Sequence, residues 1–438
     1  EYVLNEQVFE GLVVYHEKKI VPNLATSWTN PDPSTWVFKL KPNVKFHSGR
    51  TLTADDVKFS FEKIKDKELG ELFANTIKTV EVVDQATVKV TTDGPDPVLL
   101  NKLAFLYVID SKGTEEASAL NGTGPYTIKP GTEASEKAID LVAYDAYHGG
   151  RPYIRELRFK VVDSDEAMAD ALKKGEVNLA SFSTVEAADP LKSQFEPIYV
   201  DDPTVFGLYL NSVRTGPLQK LKVRQAIYEA INVEEFLKNI GATGTAANQI
   251  VIKDIPGYNP DIKRPAYSVE RAKQLLKEAG YPNGFTMQFT YFQTVSILQK
   301  VSDELTRQLK QVGITVKPNP YTDRVNNAVK TGQTDSYYQG YASDILDLSD
   351  VFGSSFQATK FYNNEQVNNV MAEANKTLDP AARLNLLKQV SKQTMDDVAY
   401  VPIYSGTAPF LLDKSYVIPV DIPATAYPGV YFWRVYQK

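Results

Sequence analysis

Cysteine is absent from all 438 residues, which removes disulfides, thiolate chemistry and Cys-ligated metals together. That absence leaves the compartment open, because a large secreted domain with enough core needs no crosslinks. Histidine is nearly as scarce. His16, His47 and His148 are scattered through the first half, and none has a second ligand type at a metal spacing such as His-x-x-x-His. Each reads as a surface or loop residue. No G-x-S-x-G turn accompanies them, so Ser-His-Asp and Cys-His sites lack their parts. No apolar run reaches the roughly 20 residues that cross a bilayer. Net charge is −6 without a dense Lys/Arg cluster, which argues against nucleic acid as a partner. No metal or cofactor is expected. The chain begins Glu-Tyr-Val-Leu, which points to a trimmed leader; a signal peptide or a lipid-bearing Cys would fit upstream.

What is present is patterned. In STWVFKL the residues Trp36, Phe38 and Leu40 alternate at the period of a half-buried strand. VEVVDQATVKV repeats that pattern on both sides of Asp84-Gln85 and reads as a hairpin. TADDVKFSFEKI has the capping-box spacing Thr53 to Asp56, with Val57, Phe61 and Ile64 on one helical face. LRFKVVDSDEAMADALKKGEVNLAS reads as strand, helix, Gly175 stop and strand, a βαβ-like unit. Past residue 205 the texture becomes alternating helix and strand. Ser268 caps a helix with Ala272, Leu275, Leu276 and Ala279 on one face, ended by Gly280 and Pro282. Residues 296–312 form an amphipathic helix, 335–341 a strand, and 363–376 and 380–396 further helices. The alternation predicts a mostly parallel sheet covered by helices, with ligands beyond the carboxyl ends of its strands.

NGTGPY, residues 121–126, lacks a following Gly-Lys-Ser/Thr and opens no helix, so it reads as a tight turn before the strand of Tyr126 and Ile128. GYASDILDLSD is more informative. Asp344, Asp347 and Asp350 could hold calcium, supply a carboxylate pair for glycoside hydrolysis, or sit in the first turn of a helix. The calcium pattern needs alternate ligands and a glycine that this run lacks. The helix reading suits Asp347 or Asp350. Asp344 instead follows a strand end crowded with tyrosine, and a carboxylate between aromatic walls is suited to capturing an ammonium group.

Several motifs in order then resemble the family 5, peptide/nickel-type solute-binding proteins of ABC importers. VFEGLVVYHEKKIVPNLATSW, WVFKLKPNVKFHSGRTLTADDVKFSFEKI, GTGPY, LYLN with PLQKLKVRQAIYEAIN, and AKQLLKEAGYPNGF carry the likeness along nearly the whole chain. The resemblance implies an α/β, two-lobed periplasmic-binding-protein-like fold of type II, similar to cluster C, with a ligand cleft between lobes. Residues 1–205 with 406–438 would form one lobe and 206–405 the other. The family's first strand would precede Glu1.

By the same resemblance, Asp344 would pair with a peptide's α-ammonium group, Gly340 would hydrogen-bond the peptide as an added strand, and Tyr341 would replace a wall tryptophan. Ser343, Tyr338, Tyr404, and Tyr209 and Asn211 of LYLN complete the expected lining. Gln293 and Thr294 stand where dipeptide binders carry an arginine, and Tyr338 replaces another, which argues against strict dipeptide specificity. The expected protein is a non-enzymatic, extracytoplasmic, monomeric receptor that delivers an extended solute, foremost an oligopeptide, to an ABC permease. It would meet a membrane only through a lipid anchor. An oligosaccharide or an opine is the alternative solute, since the 25 tyrosines also suit sugar faces. A hydrolase using cleft carboxylates is the more distant reading.

Overall fold

The computed structural model describes residues 2–16, 19–113, 121–130, 137–293, 296–322, 327–418 and 432–437. Its frame is a seven-stranded sheet built on two long strands, Glu196–Leu210 and Tyr400–Leu412, which pair antiparallel along most of their length. The register shifts between Asp201 and Val205. Pro203 lies in that gap and has no N–H for a ladder, while the Asp202 carboxylate accepts from the Thr204 N–H at 2.8 Å. On one side of the shift the pair carries Leu179–Ser181. On the other it carries Ser336–Tyr341, followed by Phe285–Phe292 and Ile314–Tyr321.

The sheet is mixed, not mostly parallel. Phe285–Phe292 runs parallel to its neighbours Ile314–Tyr321 and Ser336–Tyr341, whereas both long strands pair antiparallel with everything beside them. Helix–strand alternation predicted only the local crossover connections. The two crossing strands arrive from distant parts of the chain, and no local pattern sets their direction. The βαβ-like unit is corrected for the same reason. Its helix Asp165–Lys173 and the turn at Gly175 (φ +70°) form as expected, but Glu156–Lys160 joins a separate three-stranded sheet while Leu179–Ser181 joins the large one.

Alternation along the strands sorts the core into two layers. Leu208, Leu210, Tyr338, Val401 and Ile403 face a cluster under the helices Leu221–Glu229, Val233–Ile240, Val269–Glu278 and Ser296–Lys310. Val205, Tyr209, Tyr337 and Tyr400 face the opposite cluster, closed by Leu348–Phe352, Glu365–Ala374 and Pro380–Asp396. A four-stranded antiparallel sheet, Ala25–Asp32, Thr35–Leu40, Thr87–Thr92 and Ile77–Asp84, encloses a third core with Trp36, Phe38 and Leu40 buried. The hairpin at Asp84-Gln85 and the Thr53/Asp56 capping box are both present. So is the Ser268 cap, which accepts from the Arg271 N–H at 3.1 Å.

Candidate functional site

The strand Ser336–Tyr341 ends where its Gly340 lies against Phe206 on the neighbouring strand. A Cβ at Gly340 would meet the Phe206 ring at 2.5 Å, so the close approach requires glycine. The chain then turns through residues 342–347, with Leu346 at φ +55°, into the helix Leu348–Phe352. Three side chains hold this turn. Asp347 caps the helix by accepting from the Ser349 N–H at 2.9 Å, and it receives both Arg383 guanidinium nitrogens at 2.6 and 2.8 Å in a buried pair. Ser343 Oγ accepts from the Asp347 N–H at 2.8 Å. The Asp350 carboxylate accepts from the Asp344 N–H at 2.8 Å and from Ser343 Oγ at 3.1 Å. The helix-N-terminus reading therefore holds for Asp347 and Asp350.

Asp344 is exposed at the head of this turn. It lines a cavity of about 280 Å³ with Ile345 and Asp350 on one side and Phe73, Asp96 and Lys102 on the other. The opposing wall is polar but internally paired: Lys102 Nζ reaches Asp96 at 2.9 Å and Asn75 and Thr76 at 3.2 Å each. Beside it Ile345 is buried with Phe73 and Val98, and Asn101 Nδ2 donates to the Ile345 carbonyl at 2.8 Å. Although the residue as a whole is exposed, the protein walls around the cavity partly desolvate its carboxyl and raise the Asp344 pKa above the ordinary carboxylate value, and the Asp350 carboxylate adds to the rise. Burial raises Asp350 as well, opposed by the N–H groups of Asp344 and Ile345 and the Ser343 hydroxyl. A cation entering the cavity would favour both ionised forms.

The other expected lining residues are placed differently. Tyr209 is fully buried, stacked on Tyr337 at 4.5 Å and packed against Tyr400 at 4.4 Å, with its hydroxyl on Ser355 at 3.0 Å. Asn211 is 2% exposed and uses its whole amide internally, donating to the carbonyls of Gly332 and Thr334 and accepting from the N–H groups of Val213 and Arg214. Tyr338 and Tyr404 are buried against Phe206, at 6.3 and 5.0 Å between ring centroids. Ser343 is committed to the turn. In this structure these five side chains are taken up by the core and by the turn, and none of them lines the cavity of Asp344. Tyr341 is half-buried, edge-on to Tyr209 at 5.7 Å. Gln293 donates its N–H to the Tyr321 carbonyl at 2.9 Å, and Thr294 lies outside the described residues.

Sequence reasoning missed the facing wall of residues 73–102, which stands more than 240 positions away along the chain and carries no local signal for it. A second grouping was also missed. Glu10 of VFEGL accepts from Thr123 of GTGPY at 2.8 Å, Tyr147 at 3.1 Å and His148 Nε2 at 2.8 Å, while Lys41 Nζ lies 2.9 Å from His148 Nδ1. Two motifs quoted separately thus meet in one polar network. It borders a cavity of about 240 Å³ into which Glu6 also turns, its carboxyl pushed up to about 7 by burial.

The family model for bacterial extracellular solute-binding proteins, family 5, matches residues 19–363. The glutathione-binding protein GsiB of Escherichia coli (strain K12) is 28% identical over 416 residues, covering 88% of this chain and 81% of that one. The structure of HbpA2 from Haemophilus parasuis superposes with a TM-score of 0.87 at 24% identity, covering 99% of this chain and 94% of that one. The ABC transporter-associated periplasmic binding protein DppA from Helicobacter pylori, solved with the peptide STSA, superposes with a TM-score of 0.78 at 25% identity, covering 100% and 93%. This chain belongs to the family 5 bacterial extracellular solute-binding proteins and has their two-lobed α/β fold. It is a solute-binding protein and not an enzyme.

Proposed function

We propose that this family 5 solute-binding protein is the capture component of an ABC importer, and that its solute is a short extended peptide whose amino terminus sits on Asp344. The observation that carries the reading is an exposed carboxylate beyond a strand end, facing a cavity whose other wall comes from residues 73–102. Lys102, the cation in that wall, is already paired with Asp96, which leaves Asp344 available to a cationic guest. The relative named for glutathione and the DppA structure holding STSA support a peptide of a few residues. Added-strand pairing would supply contacts that ignore side-chain identity.

In this reading one lobe comprises residues 1–205 with 406–438 and the other 206–405. The lobes hinge where the long strands lose register between Asp201 and Val205, opposite Ser405–Thr407. The protein acts as a monomer outside the cytoplasmic membrane, beside its permease. Native and then denaturing mass spectrometry of the purified protein tests the reading. A ladder of short peptides is the expected result, and a mass series in hexose steps would overturn it.

A further inference from the structure

Of the readings open for Asp350, the helix one makes it an acidic residue in a first turn, where a carboxylate ordinarily interacts with the helix dipole. In the fold its carboxylate turns backwards. It collects the N–H of Asp344 at 2.8 Å and the hydroxyl of Ser343 at 3.1 Å. Two consecutive residues of the turn are therefore tied to one side chain. The turn needs such a tie, since Leu346 holds φ +55°, a region a β-carbon disfavours. The far side of the turn is anchored by Asp347 on Arg383, and its N–H donates to Ser343 Oγ. Asp350 thus fixes the half of the turn that presents Asp344.

We propose that Asp350 is a positioning and specificity residue for ligand capture: its carboxylate holds the Asp344 N–H and the Ser343 hydroxyl so that Asp344 faces the cavity, and it sets a second negative charge beside the cationic head of the ligand. The inference rests on the reading of Asp344 as the ammonium site. The charged groups facing the pair are Asp96 and Lys102 across the cavity, bound to each other, and Asp347 behind it, bound to Arg383. Asp350 is consequently the unpaired charge nearest Asp344 among the described groups that line the cavity. Affinity for an ammonium group falls as pH drops through the raised pKa of Asp344, and removing the Asp350 charge moves that fall to lower pH.

Two variants separate the roles. Asp350→Asn keeps an oxygen that can accept the Asp344 N–H and loses the charge; Asp350→Ala loses both. Amide hydrogen exchange at Asp344 reads the positioning without any ligand. Protection is expected to persist in Asp350→Asn and to drop about tenfold or more in Asp350→Ala. Capture is read with a random tripeptide mixture bearing free amino termini and with the same mixture N-acetylated, by native mass spectrometry from pH 4 to 8. Asp350→Ala should bind the free-amino mixture about tenfold or more weakly. Asp350→Asn should lose less at neutral pH and show its acid-side midpoint displaced downward. Unchanged protection and binding in Asp350→Ala would overturn the positioning role, and an unmoved midpoint in Asp350→Asn would overturn the charge role. If the wild type takes up neither mixture, the peptide reading fails while the exchange data still decide whether Asp350 holds the turn.

Discussion

Asn101 donates from Nδ2 to the carbonyl oxygen of Ile345 at 2.8 Å, joining the helix Leu99–Leu103 to the residue next to Asp344. The Ile345 side chain meanwhile packs with Phe73 and Val98. One residue thus bears both a polar and an apolar tie across the cavity mouth. Asn101→Ala should remove about 1 kcal/mol of that tie, close to a fivefold faster release of bound peptide. Stopped-flow dissociation measures it, and an unchanged rate would show that the contact does not hold the ligand-bound state.

Asp344→Asn should weaken binding of amino-terminated peptides at least about tenfold, because a charge-assisted hydrogen bond contributes roughly 1.5–3 kcal/mol. N-acetylated peptides should show no such loss. Calorimetry on both peptide forms makes the comparison; equal losses would mean that Asp344 shapes the cavity without meeting the ammonium group.

Arg383 and Asp347 form a bidentate pair with side chains 9% and 2% exposed. Arg383→Met leaves a buried carboxylate unpaired and should cost about 3–5 kcal/mol. Pairing it with Asp347→Leu should recover much of that loss. Urea unfolding of the three variants tests the expectation, which fails if the double variant is as unstable as the single one.

Glu6 offers a pH signature. Its carboxyl is raised to about 7 by burial, so the folded state binds a proton more tightly than the unfolded chain. The resulting stability is fully present below the ordinary glutamate pKa of 4.5 and is lost as pH rises through about 7. Glu6→Gln should therefore match the wild type near pH 4 and exceed its stability near pH 8, by on the order of 3 kcal/mol. Thermal unfolding at both pH values decides; parallel changes would show that the carboxyl is not desolvated.

Single-residue packing limits are testable at the same strand end. Gly340→Ala places a methyl 2.5 Å from the Phe206 ring and 2.6 Å from Thr204 Cγ2. Overpacking of that kind costs about 1–3 kcal/mol. Thermal unfolding should show the loss, and a neutral variant would mean that the strand end shifts without penalty.

Much of this protein was written locally. Period-two and period-3.6 patterns placed Trp36, Phe38 and Leu40 in one core and Leu275 and Leu276 in another, because side-chain direction follows from secondary structure alone. Caps at Thr53 and Ser268 were legible for the same reason, since the groups they satisfy lie within three residues. Ordered motifs carried the family, and Asp344 could be placed past the end of its strand.

Tertiary structure decided the rest. Tyr338 and Tyr404 lie on one face of the large sheet and Tyr209 on the other, and helices from distant parts of the chain cover both faces, which an aromatic run by itself does not reveal. Asn211 looked available until its amide met Gly332 and Thr334, over 120 residues away. The antiparallel direction of the long strands, the wall at 73–102 and the backward turn of Asp350 likewise come from contacts between distant segments. Local propensity constrains only neighbours along the chain, and those contacts are set by the packing of the whole.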